Sequence, residues 1–263
     1  MERKIMFFDI DGTILTEDTQ TIPGSTVKAI RKARGNGHLA FINTGRTYFN
    51  VERKIRDIGF DGFVCGCGTY INVDNKILEA ATIEETTCRK IIDLLRKYNI
   101  DAVLEGLDDV YFDTKEIVSA EMKKLKEHFN QRGYGITKNW ESEGLLYDKI
   151  FAQFNEDSGV EEFLKMMEKD FDCIDRGDCL LEIVPKGYSK ASGIKRVLEH
   201  YHLPLENAYV FGDSSNDLPM FQYAINSIAM GKSDECIYNA ASFITRDIHD
   251  DGIAFAMQHF QII

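Results

Sequence analysis

The sequence lacks any apolar run close to the ~20 residues that an α-helix needs to cross a bilayer. Its N-terminus reads Met-Glu-Arg-Lys before a short apolar stretch that already contains Asp9. A secretory signal peptide needs a longer uninterrupted apolar region and a cleavage site of small residues. We therefore expect a cytoplasmic protein that does not use a membrane as a partner.

The sequence also lacks a Cys-x-x-Cys motif and an excess of positive charge. The six cysteines include no Cys-x-x-Cys pair, which disfavours a zinc knuckle and is typical of reduced, buried thiols. The formal net charge of −12 disfavours nucleic acid as a partner. The same charge repels an anionic substrate, so such a substrate would need cations gathered locally at its site.

Short apolar segments alternate with helical periodicity at both ends of the chain. This alternation predicts an α/β fold, a doubly wound and mostly parallel Rossmann-like sheet. Within it, residues 47–58 are predicted to form a helix. The middle of the chain mixes strands and helices irregularly. We therefore predict a core from residues 1–82 and 187–263, with residues 83–186 as an inserted α+β domain.

Two carboxylates stand two residues apart at the end of the first predicted strand, in Asp9-Ile10-Asp11-Gly12-Thr13. Strand residues two apart point to the same side, and open α/β sheets bind ligands at the carboxyl ends of their strands. Clustered carboxylates repel each other unless a cation or a shared proton intervenes. A hard cation such as Mg²⁺ prefers oxygen ligands, so the motif indicates a Mg²⁺ site, although a simple polar turn also fits it.

Three further polar motifs follow predicted strands or precede predicted helices. Thr44-Gly45-Arg46 offers a hydroxyl and N–H donors at a helix start, which suits an anion or an ordinary N-cap. Lys190 precedes a helix and, taken alone, fits a solvated charge. Gly212-Asp213-Ser214-Ser215-Asn216-Asp217 brings more oxygen ligands to the same sheet edge, or forms an acidic loop. The informative feature is their order: an acid pair, a hydroxyl, a lysine and an acidic loop.

This ordered set resembles the signature of the haloacid dehalogenase-like (HAD) hydrolase superfamily. The first and fourth motifs match the family pattern without a gap, and the resemblance continues through Ala229-Met230-Gly231 and Asp251-Gly252. The long insertion resembles the α/β (type C2) cap of the Cof-type subgroup. The resemblance implies a Mg²⁺-dependent phosphatase, a phosphoric monoester hydrolase, acting on small phosphate monoesters such as sugar phosphates, with the cap selecting the substrate.

The resemblance also implies a role for each matching residue. Asp9 would attack phosphorus and form an aspartyl phosphate, while Asp11 would act first as general acid and then as general base. Mg²⁺ would be held by Asp9, by Asp213 and by the backbone carbonyl of Asp11, with Asp217 acting through water. The groups that would hold the phosphoryl oxygens come from Ile10, Thr44, Gly45, Lys190 and Asn216.

One segment departs from the family pattern. Cys65-Gly66-Cys67-Gly68 stands where relatives commonly carry an Asn-Gly pair, with Cys67 at the Asn position. We interpret Cys67 as tuning substrate choice, and a nucleophilic or redox role as the weaker alternative. In the inserted domain, five residues are candidates either for contact with the leaving group or for ordinary structural roles: Tyr147, Lys149, Arg176, Asp178 and Glu182.

Two other functions stay open at this point. A phosphosugar mutase resembling the phosphomannomutases would share the cap type but return the phosphoryl group to the sugar. A non-catalytic ligand-binding protein is disfavoured because Asp9, Asp11, Lys190 and Asp213 are all present. The expected partner is a small phosphorylated metabolite, and the expected assembly is a monomer or a weak homodimer.

Overall fold

The computed structural model describes residues 2–263, which divide into two compact units. Unit 1 comprises the chain up to Arg46, Asn50–Glu79 and Ser189–Ile263, and unit 2 comprises Thr47–Phe49 and Ala80–Tyr188. Each unit has its own sheet and its own apolar core. None of the helices in this described range is long and apolar enough to span a bilayer.

The sheet of unit 1 has eight strands, numbered here along the chain. They are β1 (Ile5–Phe8), β2 (Leu39–Asn43), β3 (Gly62–Cys65), β4 (Tyr70–Val73), β5 (Lys76–Ala80), β11 (Ala208–Gly212), β12 (Asn226–Ala229) and β13 (Phe243–Ile244). Their order across the sheet is β13-β12-β11-β1-β2-β3-β4-β5. The strands from β13 to β3 pair in parallel, and β4 returns antiparallel to β3. The predicted α/β class with a mostly parallel core is therefore confirmed.

Six helices belong to unit 1: α1 (Gly24–Gly35), α2 (Arg53–Arg56), α6 (Lys190–Tyr201), α7 (Leu218–Tyr223), α8 (Glu235–Ala240) and α9 (Gly252–His259). Apolar side chains of the central strands, such as Phe7 and Val210, form one buried cluster with Ile194 of α6 and Ile237 of α8. Strands with both faces buried read as continuous apolar runs, which is why the sequence shows these strands clearly.

The helix predicted over residues 47–58 is wrong. The chain forms a 3₁₀ turn at Tyr48–Asn50 and then a single α-helical turn, α2. Glu52 between them has extended backbone dihedrals (φ −64°, ψ 150°), which interrupt the helix. In addition, Thr47–Phe49 packs as part of unit 2. The periodicity of this segment therefore reflects two separate packing environments rather than one helix.

Unit 2 is built on a fully antiparallel five-stranded sheet. Its strands are β6 (Asp101–Glu105), β7 (Val110–Phe112), β8 (Lys149–Gln153), β9 (Phe171–Asp175) and β10 (Leu180–Pro185). Their order is β7-β6-β8-β10-β9. Its helices are α3 (Glu85–Lys97), α4 (Ala120–Gln131) and α5 (Val160–Met167). Helices α3 and α5 share one apolar cluster with the sheet, and α4 shares another.

Candidate active site

A buried ion cluster lies where β1 ends. The backbone N–H of Asp9 donates to the carbonyl of Phe211 at 3.0 Å, which ties this residue to β11. Asp9 is 3% exposed and Lys190 is 1% exposed. The Nζ of Lys190 donates to Oδ1 of Asp9 at 2.7 Å and also to Oδ1 of Asp217. The first, third and fourth sequence motifs therefore meet at one point, although Asp9 and Lys190 are 181 residues apart.

Lys190 is held in place by the residues at the start of α6. The hydroxyl of Ser189 accepts the backbone N–H of Ser192 at 3.1 Å, and the hydroxyl of Ser192 accepts the backbone N–H of Ser189 at 2.9 Å. This reciprocal capping box satisfies two N–H groups that a helix start otherwise leaves unpaired. The amide of Asn43, at the end of β2, donates to the carbonyl of Lys190 at 3.1 Å. Helix start and sheet edge together fix the lysine.

The acidic loop after β11 supplies two more buried carboxylates. Oδ1 of Asp213 accepts the hydroxyl of Thr13 at 2.6 Å. Oδ2 of Asp217 accepts the backbone N–H groups of Asp213 and Ser214, at 2.9 and 3.2 Å, and so shapes the loop. A Cβ on Gly12 (φ +75°) would collide with the carboxylate of Asp213. Glycine is therefore required here both for the backbone conformation and for the close approach.

The cluster carries an excess of negative charge. Oxygens of Asp9, Asp213 and Asp217 lie within 4.8 Å of one another, and one ammonium, that of Lys190, compensates only one of the three carboxylates. Burial, with the neighbouring carboxylates, raises the pKa of Asp9 to about 7 and that of Asp213 to about 8, against the attraction of Lys190. Burial alone would lower the pKa of Lys190, but the charges of Asp217 and Asp9 raise it.

These residues fit a divalent cation. When all three carboxylates are ionised, the two negative charges that Lys190 does not compensate match the charge of a hard dication, and closely spaced carboxylate oxygens match its ligand preference. The side chains that would bind it directly are those of Asp9 and Asp213, with Asp217 beside them. The backbone carbonyl of Asp11 remains a predicted further ligand.

The side chain of Asp11 points to a different partner from that of Asp9. Because β1 ends at Phe8, both acids lie beyond the last residue of the strand. Arg46 binds both oxygens of Asp11: Nε donates to Oδ2 at 2.9 Å and Nη2 donates to Oδ1. Burial alone would lower the pKa of Arg46, but Asp11 raises it. This pairing is absent from the sequence-based expectations, in which Arg46 only adds positive charge to an anion site.

Apart from Lys190, the predicted phosphate-binding residues lie beyond the carboxyl ends of β1, β2 and β11. Thr44 follows β2, the neighbour of β1, and its hydroxyl accepts the backbone N–H of Arg46 at 3.1 Å. Gly45 is buried beside it. The carbonyl of Ile10 accepts three N–H groups of the turn that follows it. Asn216 is half-buried, and its Oδ1 accepts the hydroxyl of Ser214 at 2.7 Å. Their contact with a phosphoryl group remains a prediction.

The sequence model of the haloacid dehalogenase-like hydrolase family matches residues 6–257. The chain belongs to this family. The match is of the Cof type, as the sequence resemblance indicates.

Other proteins of the HAD family resemble the chain over its full length. The Bacillus subtilis protein YkrA is 29% identical over 270 residues, covering 100% of both chains. The Bacillus subtilis 5-amino-6-(5-phospho-D-ribitylamino)uracil phosphatase YitU is 27% identical over 281 residues, again covering 100% of both. The structure of a HAD subclass IIB sugar phosphatase is 25% identical, with a TM-score of 0.83 over 99% of this chain and 100% of that one. The chain is therefore a HAD phosphatase, and a phosphorylated small molecule is its substrate.

Cys67 occupies a strained position in this HAD phosphatase. It is buried and has a positive φ of 55°, a conformation that Asn adopts more readily than Cys. Its backbone N–H donates to the carbonyl of Thr44 at 3.1 Å. The residue therefore supports the turn that carries Thr44. Its positive φ explains physically why the family pattern has Asn at this position.

Unit 2 contains a second set of buried charges. The Nζ of Lys149 lies 3.2 Å from Oε1 of Glu105 and 2.8 Å from Oε1 of Glu182, and all three side chains are nearly inaccessible to solvent. Arg176 reaches the second oxygen of Glu182 at 3.5 Å, and Thr47 donates to Glu105 at 3.2 Å. These residues form a network on one face of the sheet of unit 2.

Two other candidates in unit 2 lie outside that network. The hydroxyl of Tyr147 donates to the carbonyl of Cys88 at 2.7 Å inside the apolar core, where burial raises its pKa. Asp178 lies exposed in the turn between β9 and β10, with a positive φ of 50°. Their geometry gives Tyr147 a packing role and Asp178 a turn role. The sequence did not point to Glu105, whose significance depends on its pairing with Lys149.

Proposed function

We propose that this HAD phosphatase hydrolyses small phosphate monoesters with Mg²⁺ as its cofactor, through an aspartyl phosphate on Asp9. One observation carries the proposal. Lys190 holds a buried Asp9 in a set of three carboxylates that, when all are ionised, has two negative charges more than the lysine compensates. A cluster of this kind is costly for a fold unless a cation completes it, and it surrounds the carboxylate that would act as nucleophile.

The proposed first step is attack by Asp9 on phosphorus. Lys190 binds Oδ1 of Asp9, so Oδ2 is the oxygen that would form the new bond. Bound Mg²⁺ would supply positive charge that keeps these carboxylates ionised and balances the phosphoryl charge. Lys190 and the hydroxyl and N–H donors of Thr44 and Gly45 would hold the phosphoryl oxygens, with Asn216 and the backbone of Ile10.

The leaving alcohol needs a proton, and Asp11 would provide it. Its carboxyl group would give a proton to the departing oxygen as the P–O bond breaks. The resulting carboxylate would then take a proton from the water that attacks the aspartyl phosphate. That second attack releases inorganic phosphate and regenerates Asp9. Asp217 would orient the loop and the water bound near Asp213, since its second oxygen already holds two loop N–H groups.

Sugar phosphates and phosphorylated polyols are the proposed substrate class. Two relatives support this choice: the subclass IIB sugar phosphatase at 25% identity and YitU, whose name specifies a phosphoribityl group, at 27% identity. Both names describe a phosphate on a small hydroxylated molecule.

A panel of phosphate esters, assayed for release of inorganic phosphate with and without Mg²⁺, tests the proposal. We expect Mg²⁺-dependent release without an added bisphosphate, and loss of at least about 10³-fold in kcat for Asp9→Asn, because it lacks the nucleophile. Asp57→Asn, at an exposed position of unit 1, is the matched control and should keep the wild-type rate. Equal rates for Asp9→Asn and the wild type would refute the mechanism. A requirement for a bisphosphate would indicate a mutase instead.

A further inference from the structure

Arg46 forms a bidentate ion pair with the side chain of Asp11. Its Nε and Nη2 atoms donate to the two different oxygens of that carboxylate. A bidentate guanidinium–carboxylate pair fixes the plane of the carboxylate as well as its position. In the described part of the chain, Arg46 supplies both hydrogen bonds to the Asp11 side chain.

Arg46 is itself held on several sides. Its backbone N–H donates to the hydroxyl of Thr44 at 3.1 Å, and its carbonyl accepts the N–H of Gly66 at 2.8 Å. Its remaining terminal nitrogen, Nη1, lies 3.5 Å from Oε1 of Glu52. Glu52 in turn lies 2.8 Å from the ammonium of Lys54. The guanidinium is therefore a fixed group of the core, set on the same turn as the proposed phosphate ligand Thr44.

The side chain of Asp11, by contrast, is more exposed than that of Arg46. The exposed fraction is 48% for Asp11 and 18% for Arg46. A half-exposed carboxylate samples several rotamers, and proton transfer needs the acid within hydrogen-bond reach of one particular oxygen. Each carboxylate oxygen has two lone-pair sites. Two donors from Arg46 therefore leave a lone-pair site on each oxygen that can face the leaving alcohol or the water.

We propose that Arg46 is a positioning residue that holds Asp11 for proton transfer to the leaving alcohol and from water; this rests on the proposed function above. The sequence pattern suggests a different role, in which Arg46 only adds positive charge to an anion site. The two roles give different kinetics. A residue whose charge attracts the phosphate affects kcat/KM for every substrate alike. A residue that acts through the general acid affects kcat/KM only where the leaving group needs a proton, because kcat/KM does not report the later attack of water.

The experiment compares Arg46→Ala with the wild type on two esters, with Mg²⁺ present. Sorbitol phosphate has an alkyl leaving group that needs a proton, and p-nitrophenyl phosphate has an activated leaving group that departs without one. We expect kcat/KM to fall about 10- to 100-fold for sorbitol phosphate and less than about threefold for p-nitrophenyl phosphate. We also expect a burst of nitrophenolate, because Asp11 would no longer be held to activate water for the second step.

A double-mutant cycle identifies the residue through which Arg46 acts. In an Asp11→Asn background, Arg46→Ala should lower kcat/KM for sorbitol phosphate by less than about threefold further, since the group it positions is already altered. Added guanidinium should restore part of the activity of Arg46→Ala. It should not help Asp11→Asn/Arg46→Ala.

Arg34 provides a matched control. It makes the same type of bidentate pair with Asp61, at 2.9 and 2.7 Å, away from the ion cluster. Arg34→Ala should leave the ratio of the two kcat/KM values unchanged. Equal losses on both esters for Arg46→Ala, or a further large loss in the Asp11→Asn background, would overturn the proposal. Failure of the wild type to hydrolyse either ester would instead count against the proposed function.

Discussion

Binding of Mg²⁺ should become tighter and more stabilising as the pH rises, and the buried carboxylates set the size of this effect. The pKa values of Asp9 and Asp213 are raised from 3.8 to about 7 and about 8 in the protein without a cation. Each pKa unit corresponds to about 1.4 kcal/mol. Keeping these groups ionised therefore costs roughly 4 kcal/mol at Asp9 and roughly 6 kcal/mol at Asp213, and the two costs overlap because the groups interact.

The direction in which stability and Mg²⁺ affinity change with pH follows from the direction of these pKa shifts. Both carboxyl groups bind protons more tightly folded than unfolded, so their contribution to stability is complete below about pH 4. It is lost progressively as the pH rises through about 7 to 8. Mg²⁺ needs the ionised form and must displace these protons at lower pH. Its dissociation constant should therefore fall about tenfold per pH unit for each proton displaced.

Thermal unfolding of EDTA-treated protein, with and without MgCl₂, measures this linkage. At about 100 times the dissociation constant, a ligand adds about 2.7 kcal/mol, which corresponds to a rise in Tm of about 5–10 °C for a chain of this size. We expect that rise near pH 8.5. Near pH 6, the same Mg²⁺ concentration should give at most about half of it.

Variants identify the carboxylates on which stabilisation by Mg²⁺ depends. Asp213→Asn should remove most of the stabilisation by Mg²⁺, because it lacks a proposed ligand and one negative charge. Asp178→Asn, at an exposed turn of unit 2, should leave it unchanged. If Mg²⁺ stabilises the wild type equally at both pH values, the proposed competition between protons and cation is wrong.

Three further predictions concern named contacts. Lys149→Met should lower the free energy of unfolding by about 3–5 kcal/mol in urea titrations, because it leaves Glu105 buried without its cation; adding Glu105→Gln should recover part of this loss. Gly12→Ala should abolish Mg²⁺ binding by calorimetry, since its Cβ would displace the carboxylate of Asp213; wild-type affinity would contradict this. Ser189→Ala should cost about 1 kcal/mol, or about 2–4 °C in Tm, through the lost helix cap; an unchanged Tm would show that the cap contributes nothing.

The core sheet was predictable because its parallel strands are buried on both faces and stand out as apolar runs. Edge and antiparallel strands are harder to recognise. Strand β9 (Phe171–Asp175) was missed because it lies at the edge of its sheet and alternates apolar with polar residues. The hairpin of β4 and β5 is easier to recognise in the sequence, since Asp74 and Asn75 are residue types that adopt the positive φ angles that its tight turn needs.

The site was predictable only in part. The sequence order of the motifs indicated that Asp9, Lys190 and Asp213 belong together, although no local pattern joins residues so far apart. The pairing of Asp11 with Arg46 depends on where β1 ends and on side-chain rotamers, which no motif spacing encodes. The same holds for the pairing of Lys149 with Glu182 in unit 2, since both residues look like ordinary strand charges in the sequence.

The capping box at the start of α6 has a consequence for how such proteins diversify. Ser189 and Ser192 cap the helix with their own side chains, and Ser189 is the first residue of unit 1 after the insertion. The position of Lys190 therefore depends on residues of unit 1, namely the cap at the start of α6 and Asn43 at the end of β2, rather than on the insertion. Recombination could exchange the whole insertion up to Tyr188 while leaving the lysine in register. Descendants of one ancestral core could thus acquire new insertions without having to evolve the reaction again.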